Sequence, residues 1–364
     1  MRLCYLGSAN NIHTQRWVKY FAEKGYDIHV ISYEFENIDN VKVYTLSEAK
    51  NRYLSFFIRY FAVKKLINKI KPDIIHAHYV GGYGWLAALT GFHPFVASAW
   101  GTDVLVEPKI SRVSRLLTRF ALKKADLITC DGENSEDAMI NLDINQKKIK
   151  IIFHGVDTRK FNFKQGDKEV IKNLFDEGDF PAVISDRSLK PIYDIETLIK
   201  AIPLVLKTIP DAKFIIAGEG EQKKYAMTLA KSLNVFDATR FVGQILHDEL
   251  PKYLSSSDVY VSTSLSDGGM AVSTLEAMAC GLPCIVTDVG DNNKWIINGE
   301  SGFVIPTKNP KTLAEKIIYL IKNEMLRKKI GGRSRKIIED KQDYGKEMLK
   351  MENLYKELIE RYKP

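Results

Sequence analysis

The sequence has no apolar run long enough to cross a bilayer, and its opening, "MRLCYLGSANN", reads as the start of a strand rather than a signal peptide. Cysteine is scarce: the four, at 4, 130, 280 and 284, are too scattered for a disulfide framework. Cys280 and Cys284 straddle an expected helix end with no histidine nearby, which favours buried thiols over a metal site. These absences argue against a membrane-spanning or disulfide-stapled secreted protein and fit the cytoplasm. The Gly-x-Gly-x-x-Gly fingerprint is also missing. The first strand runs into "LGSANN" instead, which disfavours a plain Rossmann dehydrogenase. No Asp-x-Asp stands in a strand-end loop to hold a divalent ion.

Carboxylates are locally absent as well. Between Ala49 and Pro72 lie Lys50, Arg52, Arg59, Lys64, Lys65, Lys69 and Lys71 with no acid among them, and Tyr53, Phe56, Phe57, Tyr60 and Phe61 are interleaved. A second stretch, "KISRVSRLLTRFALKKA", sets Arg112, Arg115, Arg119 and Lys123 along one helical stripe. The net charge is +8. Two readings stand: solvated helix faces whose aromatics turn inward, or a peripheral surface for anionic lipid headgroups. Nucleic acid is not expected as a partner, because no binding module accompanies the charge.

What is present is alternation. At 364 residues and 45% hydrophobic, the chain can bury two cores of ordinary domain size. "RLCYLG", "DIHVIS", "DIIHAH", "PFVASAW", "DLITCDG" and "KIIFHG" form one series of short strands, with helical stretches such as "TQRWVKYFAEKG" between most of them. "PAVISD", "KFIIAG", "TRFVG", "DVYVST", "CIVTD" and "GFVIP" form a second, after a polar join over residues 156–180. Short strands separated by helices predict an α/β fold of two Rossmann-like, doubly wound parallel-sheet domains facing across a cleft. The boundaries are placed at 1–160 and 161–340, with a charged helical tail over 341–364 that crosses back onto the first domain.

The stretch "SDGGMAVSTLEAMACGLPCIVTD", residues 266–288, reads as a loop, a short helix and a returning strand. Its glycines sit at the carboxyl end of the preceding strand "VYV" and just before a helix N-terminus. Free N–H groups and the helix dipole attract anions there, and glycine lets ligand oxygens come close to the backbone. A purely structural glycine turn is the other reading.

The chain resembles the retaining glycosyltransferases of family 4, which have the GT-B architecture. The resemblance runs nearly end to end, through "YLGSANNIHTQRWVKYFAEKGYDIHVIS", "HAHYVGGYGWLAALTGFHPFVASAWGTD", "GVDTRKF", "DRSLKPIYDIETLIKAI", "FIIAGEGE", "FVG" and the stretch at 266–288. It implies an acceptor-binding first domain and a second domain that binds a nucleotide-activated sugar, most often a UDP-sugar. Glu276 would accept the ribose hydroxyls, or else be a glutamate complementing the helix dipole. The loop around Gly268, with the amides of Gly269, Met270, Ala271 and Val272, would cradle sugar and diphosphate, with Gly218 lining the donor site. Arg187 would hold the diphosphate as its charge grows, or be a strand-end surface arginine. Gly7, Asn10, His13, His78, Trp100 and Asp103 would line the acceptor side.

Three departures separate this sequence from the family pattern. The family commonly spaces two glutamates by seven residues; here eight residues separate Asp267 from Glu276, and Gly268 occupies the strict position. The lysine usual after the arginine falls near Tyr193, which makes Lys190 the substitute. A histidine near the reacting centre of many relatives is replaced by Trp100 in "SAWGTD", leaving Asp103 to orient the acceptor or to serve as a turn aspartate. In retaining enzymes of this class the leaving phosphate can take the acceptor proton, so Asp103, Asp267 and Arg187 are the catalytic candidates. No cofactor or metal is required beyond the nucleotide-sugar co-substrate. The expected activity is transfer to a glycan, lipid-linked or small-molecule acceptor for a surface glycan or glycoconjugate. A sugar-nucleotide 2-epimerase and a catalytically silent nucleotide-sugar-binding partner are the alternatives.

Overall fold

The computed structural model describes residues 1–47, 52–175, 178–267 and 269–363, apart from the side chains of 52–54. By its contacts the chain divides into two compact units, Met1–His154 with Lys346–Pro364, and Gly155–Gly345. Lys50 and the side chains of Arg52 and Tyr53, from the basic stretch, fall outside what is described.

Seven strands make the first unit's sheet: β1 (Arg2–Leu6), β2 (Asp27–Ser32), β3 (Val41–Thr45), β4 (Ile74–His78), β5 (Phe95–Ala99), β6 (Leu127–Cys130) and β7 (Ile149–Ile151). They run parallel in the order β3-β2-β1-β4-β5-β6-β7. Every residue of β4 and β5 is buried, as helices on both faces require. β3 is an addition to the strands expected from sequence. It is a sheet edge with no fully buried residue, so its apolar signal is weak.

The helix Ile12–Glu23 starts where the Asn11 side chain accepts from the His13 amide at 2.8 Å, and it buries Thr14, Trp17, Val18 and Phe21 as one stripe. The last helix, Tyr344–Tyr362, closes the same core with Met348, Met351, Tyr355 and Leu358. The Tyr355 hydroxyl lies 3.0 Å from the Tyr5 hydroxyl and 2.5 Å from His76 Nδ1, so its polar tip is satisfied where its ring is fully buried. Burying one such side chain contributes on the order of 1.5–3 kcal/mol. Glu352, on the same helix, accepts from Tyr26 and pairs with Lys24.

The second unit's sheet has β8 (Ala182–Ser185), β9 (Lys213–Ala217), β10 (Thr239–Gly243), β11 (Val259–Ser262), β12 (Cys284–Thr287) and β13 (Gly302–Ile305), all parallel, ordered β10-β9-β8-β11-β12-β13. Successive side chains enter opposite cores. Val183 joins Ile199 and Ile317, and Ile184 joins Leu275 and Met278. Both sheets reverse their strand order once, between β1 and β4 and between β8 and β11, where the loops at the carboxyl strand ends part and leave room for a ligand. The two sheets are those of the GT-B class. No helix among the described residues is long and apolar enough to cross a membrane.

Candidate active site

In the second unit the chain leaves β8 at Asp186-Arg187, on one side of the reversal, and leaves β11 toward Asp267, on the other. Two glycines permit this arrangement. Gly218, at φ +115°, lies so close to the Arg187 carbonyl that a Cβ would fall 2.5 Å from its oxygen. Gly290, at φ +56°, supports the other loop, with a Cβ position 2.3 Å from the Gly269 carbonyl oxygen and 2.9 Å from that of Asp267. Gly218 thus shapes the loop that carries Arg187.

Arg187 is the centre of the site. Its Nη2 lies 2.5 Å from Asp267 Oδ1, its Nη1 donates to Ser273 Oγ at 3.2 Å, and its guanidinium sits 4.2 Å over the Tyr193 ring. Nε is buried with no partner among the described residues. Tyr260, at the floor, donates to Asp186 Oδ1 and lies 2.9 Å from Ser273 Oγ. Burial raises the Asp267 carboxyl above its ordinary range, against the pull of Arg187. Burial and the nearby Glu276 push Asp186 up to about 6.

Ser273 lies in the first turn of the helix Val272–Ala279, whose N-terminus has no side-chain cap. Its first-turn amides therefore remain available beside Arg187. Gly269 and Met270 are half-buried, Ala271 is the N-cap, and Gly268 falls outside the described residues. Glu276, one turn on, is 6% exposed. Its Oε1 lies 2.9 Å from His247 Nε2, and Lys160 Nζ approaches His247 Nδ1 at 2.8 Å while pairing with Asp248 at 2.6 Å. The structure thus gathers Arg187, Asp267, Gly218 and the start of the Glu276 helix. Lys190 is not part of that group. It is exposed at the start of the turn Pro191–Tyr193, and its side chain makes no hydrogen bond or ion pair among the described residues.

Sequence reading missed His247 and Lys160. The available signal was a histidine four residues beyond the end of β10, in "GQILHDEL", the same kind of strand-end loop that carries Arg187.

In the first unit Gly7, His78 and Trp100 follow or end β1, β4 and β5, as expected of a strand-end cluster. A Cβ on Gly7 would meet His78 Cβ at 3.0 Å. The rings of His13 and His154 stack at 4.1 Å, and Trp100 lies 4.9 Å from His78 and 5.9 Å from each of the other two. Burial lowers His13 to about 3 and His154 to about 4, and His78 falls well below its ordinary value. These imidazoles are neutral at physiological pH. Asn10 is exposed in the turn before the Asn11 cap. Asp103 is fully buried: its Oδ2 accepts from the Val80 amide at 2.7 Å and its Oδ1 from the Trp100 amide at 3.0 Å. Each oxygen thus accepts a backbone amide, an arrangement that fixes the turn carrying Trp100.

Residues 167–337 match the family model described as glycosyl transferases group 1, and residues 2–132 match glycosyl transferase 4-like. An uncharacterised glycosyltransferase of Methanocaldococcus jannaschii is 29% identical over 338 residues, which is 90% of this chain and 88% of that protein. N-acetyl-alpha-D-glucosaminyl L-malate synthase of Bacillus anthracis is 23% identical over 355 residues, 94% of this chain and 92% of that protein. Anabaena HepE, crystallised with UDP, superposes with a TM-score of 0.83 at 18% identity over 98% of this chain and all of its own, a likeness of fold. With both sheets in GT-B order and both units matched by family models, the chain belongs to the group 1 glycosyltransferases of the GT4 type, enzymes that use a nucleotide-sugar donor.

Proposed function

We propose that this chain is a retaining glycosyltransferase that moves a sugar from a UDP-sugar to a glycan, lipid-linked or small-molecule acceptor in surface polysaccharide or glycoconjugate synthesis. The observation that carries the reading is Arg187, held beside the uncapped N-terminus of Val272–Ala279 at the strand-order reversal, with Glu276 one turn further along that helix. A diphosphate takes charge as the sugar leaves. A guanidinium and helix amides already in place stabilise that charge without reorganising. UDP as the nucleotude follows the complex of the Anabaena protein.

The acceptor oxygen would attack the sugar carbon from the face the diphosphate leaves. The C–O bond to phosphate breaks as the new glycosidic bond forms, and the acceptor proton passes to the departing phosphate oxygen. Trp100 in the histidine's place is compatible with this route, which asks no protein side chain to serve as base. Arg187 and the helix amides supply the positive potential on this reading, which needs no divalent ion, and chelation with EDTA should leave turnover unchanged. An anionic membrane surface is the proposed place of work, supported by apolar and basic side chains exposed together on the first unit.

A thermal-shift screen across nucleotide sugars, followed by product analysis, tests the reading. A UDP-sugar should raise the melting temperature, UDP release should require an acceptor, and the product should keep the donor's anomeric configuration by NMR. An isomerised sugar nucleotide formed without acceptor would instead identify an epimerase. Tight binding with no UDP release under any acceptor would identify a silent partner.

A further inference from the structure

Glu276 is held by one oxygen only. His247 Nε2 lies 2.9 Å from Oε1, and Oε2 has no hydrogen-bond partner among the described residues. The imidazole that holds it is itself oriented. Lys160 Nζ stands 2.8 Å from His247 Nδ1. An ammonium has only donors, so Nδ1 must accept, and the ring proton sits on Nε2, facing the carboxylate. Lys160 is fixed in turn by Asp248 at 2.6 Å, and the Phe161 ring lies 5.2 Å from the imidazole. Asp248, Lys160, His247 and Glu276 thus form a directional chain, each member setting the orientation of the next.

We infer that His247 is a positioning residue for the donor: it aims Glu276 so that the free oxygen meets the ribose hydroxyls of the nucleotide, and Lys160 fixes the tautomer that permits this. The inference rests on the reading of Glu276 as the ribose-binding carboxylate. A carboxylate on a short helix can turn about its terminal torsion, and a cis-diol needs its oxygens in a set plane. Anchoring Oε1 removes that freedom and leaves Oε2 for the ligand. The His247 side chain is about half exposed, so replacing it removes the anchor without opening the core.

The test is the binding preference for ribose over deoxyribose. Dissociation constants of UDP, GDP and ADP and of their 2′-deoxy counterparts are measured by calorimetry for wild type, Glu276→Ala, His247→Ala, His247→Gln and Lys160→Met. Wild type should prefer the ribose form of its nucleotide by roughly tenfold or more, as expected for a lost hydrogen bond to a charged group. Glu276→Ala should abolish the preference. His247→Ala should lose most of it while changing deoxynucleotide affinity by less than about threefold, because the two effects share one carboxylate. His247→Gln should restore it, its amide replacing the Nε2 donor, and Lys160→Met should lose part of it. A preference kept in His247→Ala but lost in Glu276→Ala overturns the positioning role and leaves the donor site standing. A preference kept in Glu276→Ala, or absent in wild type, overturns the ribose assignment itself. An unchanged preference in Lys160→Met overturns the tautomer role.

Discussion

Arg187 Nη2 and Asp267 Oδ1, 80 residues apart in sequence, meet at 2.5 Å where the second sheet reverses its strand order. Their side chains are 13% and 11% exposed, and desolvating two charges costs about as much as their attraction returns. The pair is therefore weak as a stabilising device, and its value lies in holding a guanidinium still beside a helix N-terminus. If Arg187 holds the diphosphate as proposed, Asp267 and the diphosphate would compete for the same guanidinium donors.

Replacing Asp267 separates binding from transfer. Asp267→Asn keeps the loop's shape and removes the competing charge, so UDP affinity should stay within about threefold of wild type or tighten, while transfer falls by roughly tenfold or more. Parallel titration calorimetry and initial rates check this. Equal losses in both would remove any role for Asp267 toward the sugar.

Arg187→Ala should weaken UDP binding by roughly 10- to 100-fold with secondary structure intact, the usual worth of a charge-assisted pair. Arg187→Lys should recover little, because a point charge cannot span Ser273 and a phosphate as the planar fork does. Near-native affinity in the alanine variant would remove the donor-site assignment.

Asp103 predicts a pH dependence of stability. Burial pushes its carboxyl up to about 7, with the Val80 and Trp100 amides pulling the other way. The unfolded value is near 4. Between these the native chain holds a proton that the unfolded chain has released, so the stability this group contributes is present below about pH 4 and lost as pH rises toward 7. Asp103→Asn cannot titrate. Its melting temperature should therefore fall less than that of wild type between pH 4.5 and 7.5, as scanning calorimetry would register. An equal fall in the two proteins would show that the carboxyl is ionised throughout this range and overturn the prediction.

The twelve strands expected from sequence are all present because each is a short, mainly apolar run between helical or polar stretches, most of them buried at nearly every residue, with the edge strands β7 and β10 less so. β3 escaped because an exposed edge needs no such run. The donor-side reading named Arg187, Asp267 and Glu276 through the resemblance, and the structure brings Arg187 and Asp267 together beside the start of the helix that carries Glu276. It could not find His247, because its partner Glu276 is 29 residues away and a lone histidine carries no spacing signal. The same blindness affected the basic stripe. Arg119 and Lys123 both pair with Asp143, so of that helix face Arg112 and Arg115 are the exposed cations without an ion pair among the described residues. Long-range ion pairs depend on the folded path, and composition within one helix does not report them.

The remaining basic surface supports a prediction about membranes. On the helix Arg52–Ile70, Phe56 and Tyr60 turn toward the core while Phe57 and Phe61 point out, 61% and 65% exposed. Lys64, Lys65 and Lys69 are exposed on the same helix. Val113 and Leu116 are exposed beside Arg112 and Arg115 on Arg112–Lys124. Aromatic side chains directed outward among cations can insert between acyl chains while the charges meet anionic headgroups. Each basic residue near such a surface contributes on the order of 1 kcal/mol, screened by salt over roughly 8–10 Å. The protein should therefore co-sediment with phosphatidylserine-containing liposomes at low salt and be released as salt rises. Lys64, Lys65 and Lys69 replaced together by Glu should weaken binding at low salt, and Phe57→Ser with Phe61→Ser should lower the part that persists at higher salt. Neither set should change turnover on a soluble acceptor analogue. Folded protein that stays in the supernatant at low salt would make both helix faces ordinary solvated surface, with the exposed phenylalanines left for another kind of partner.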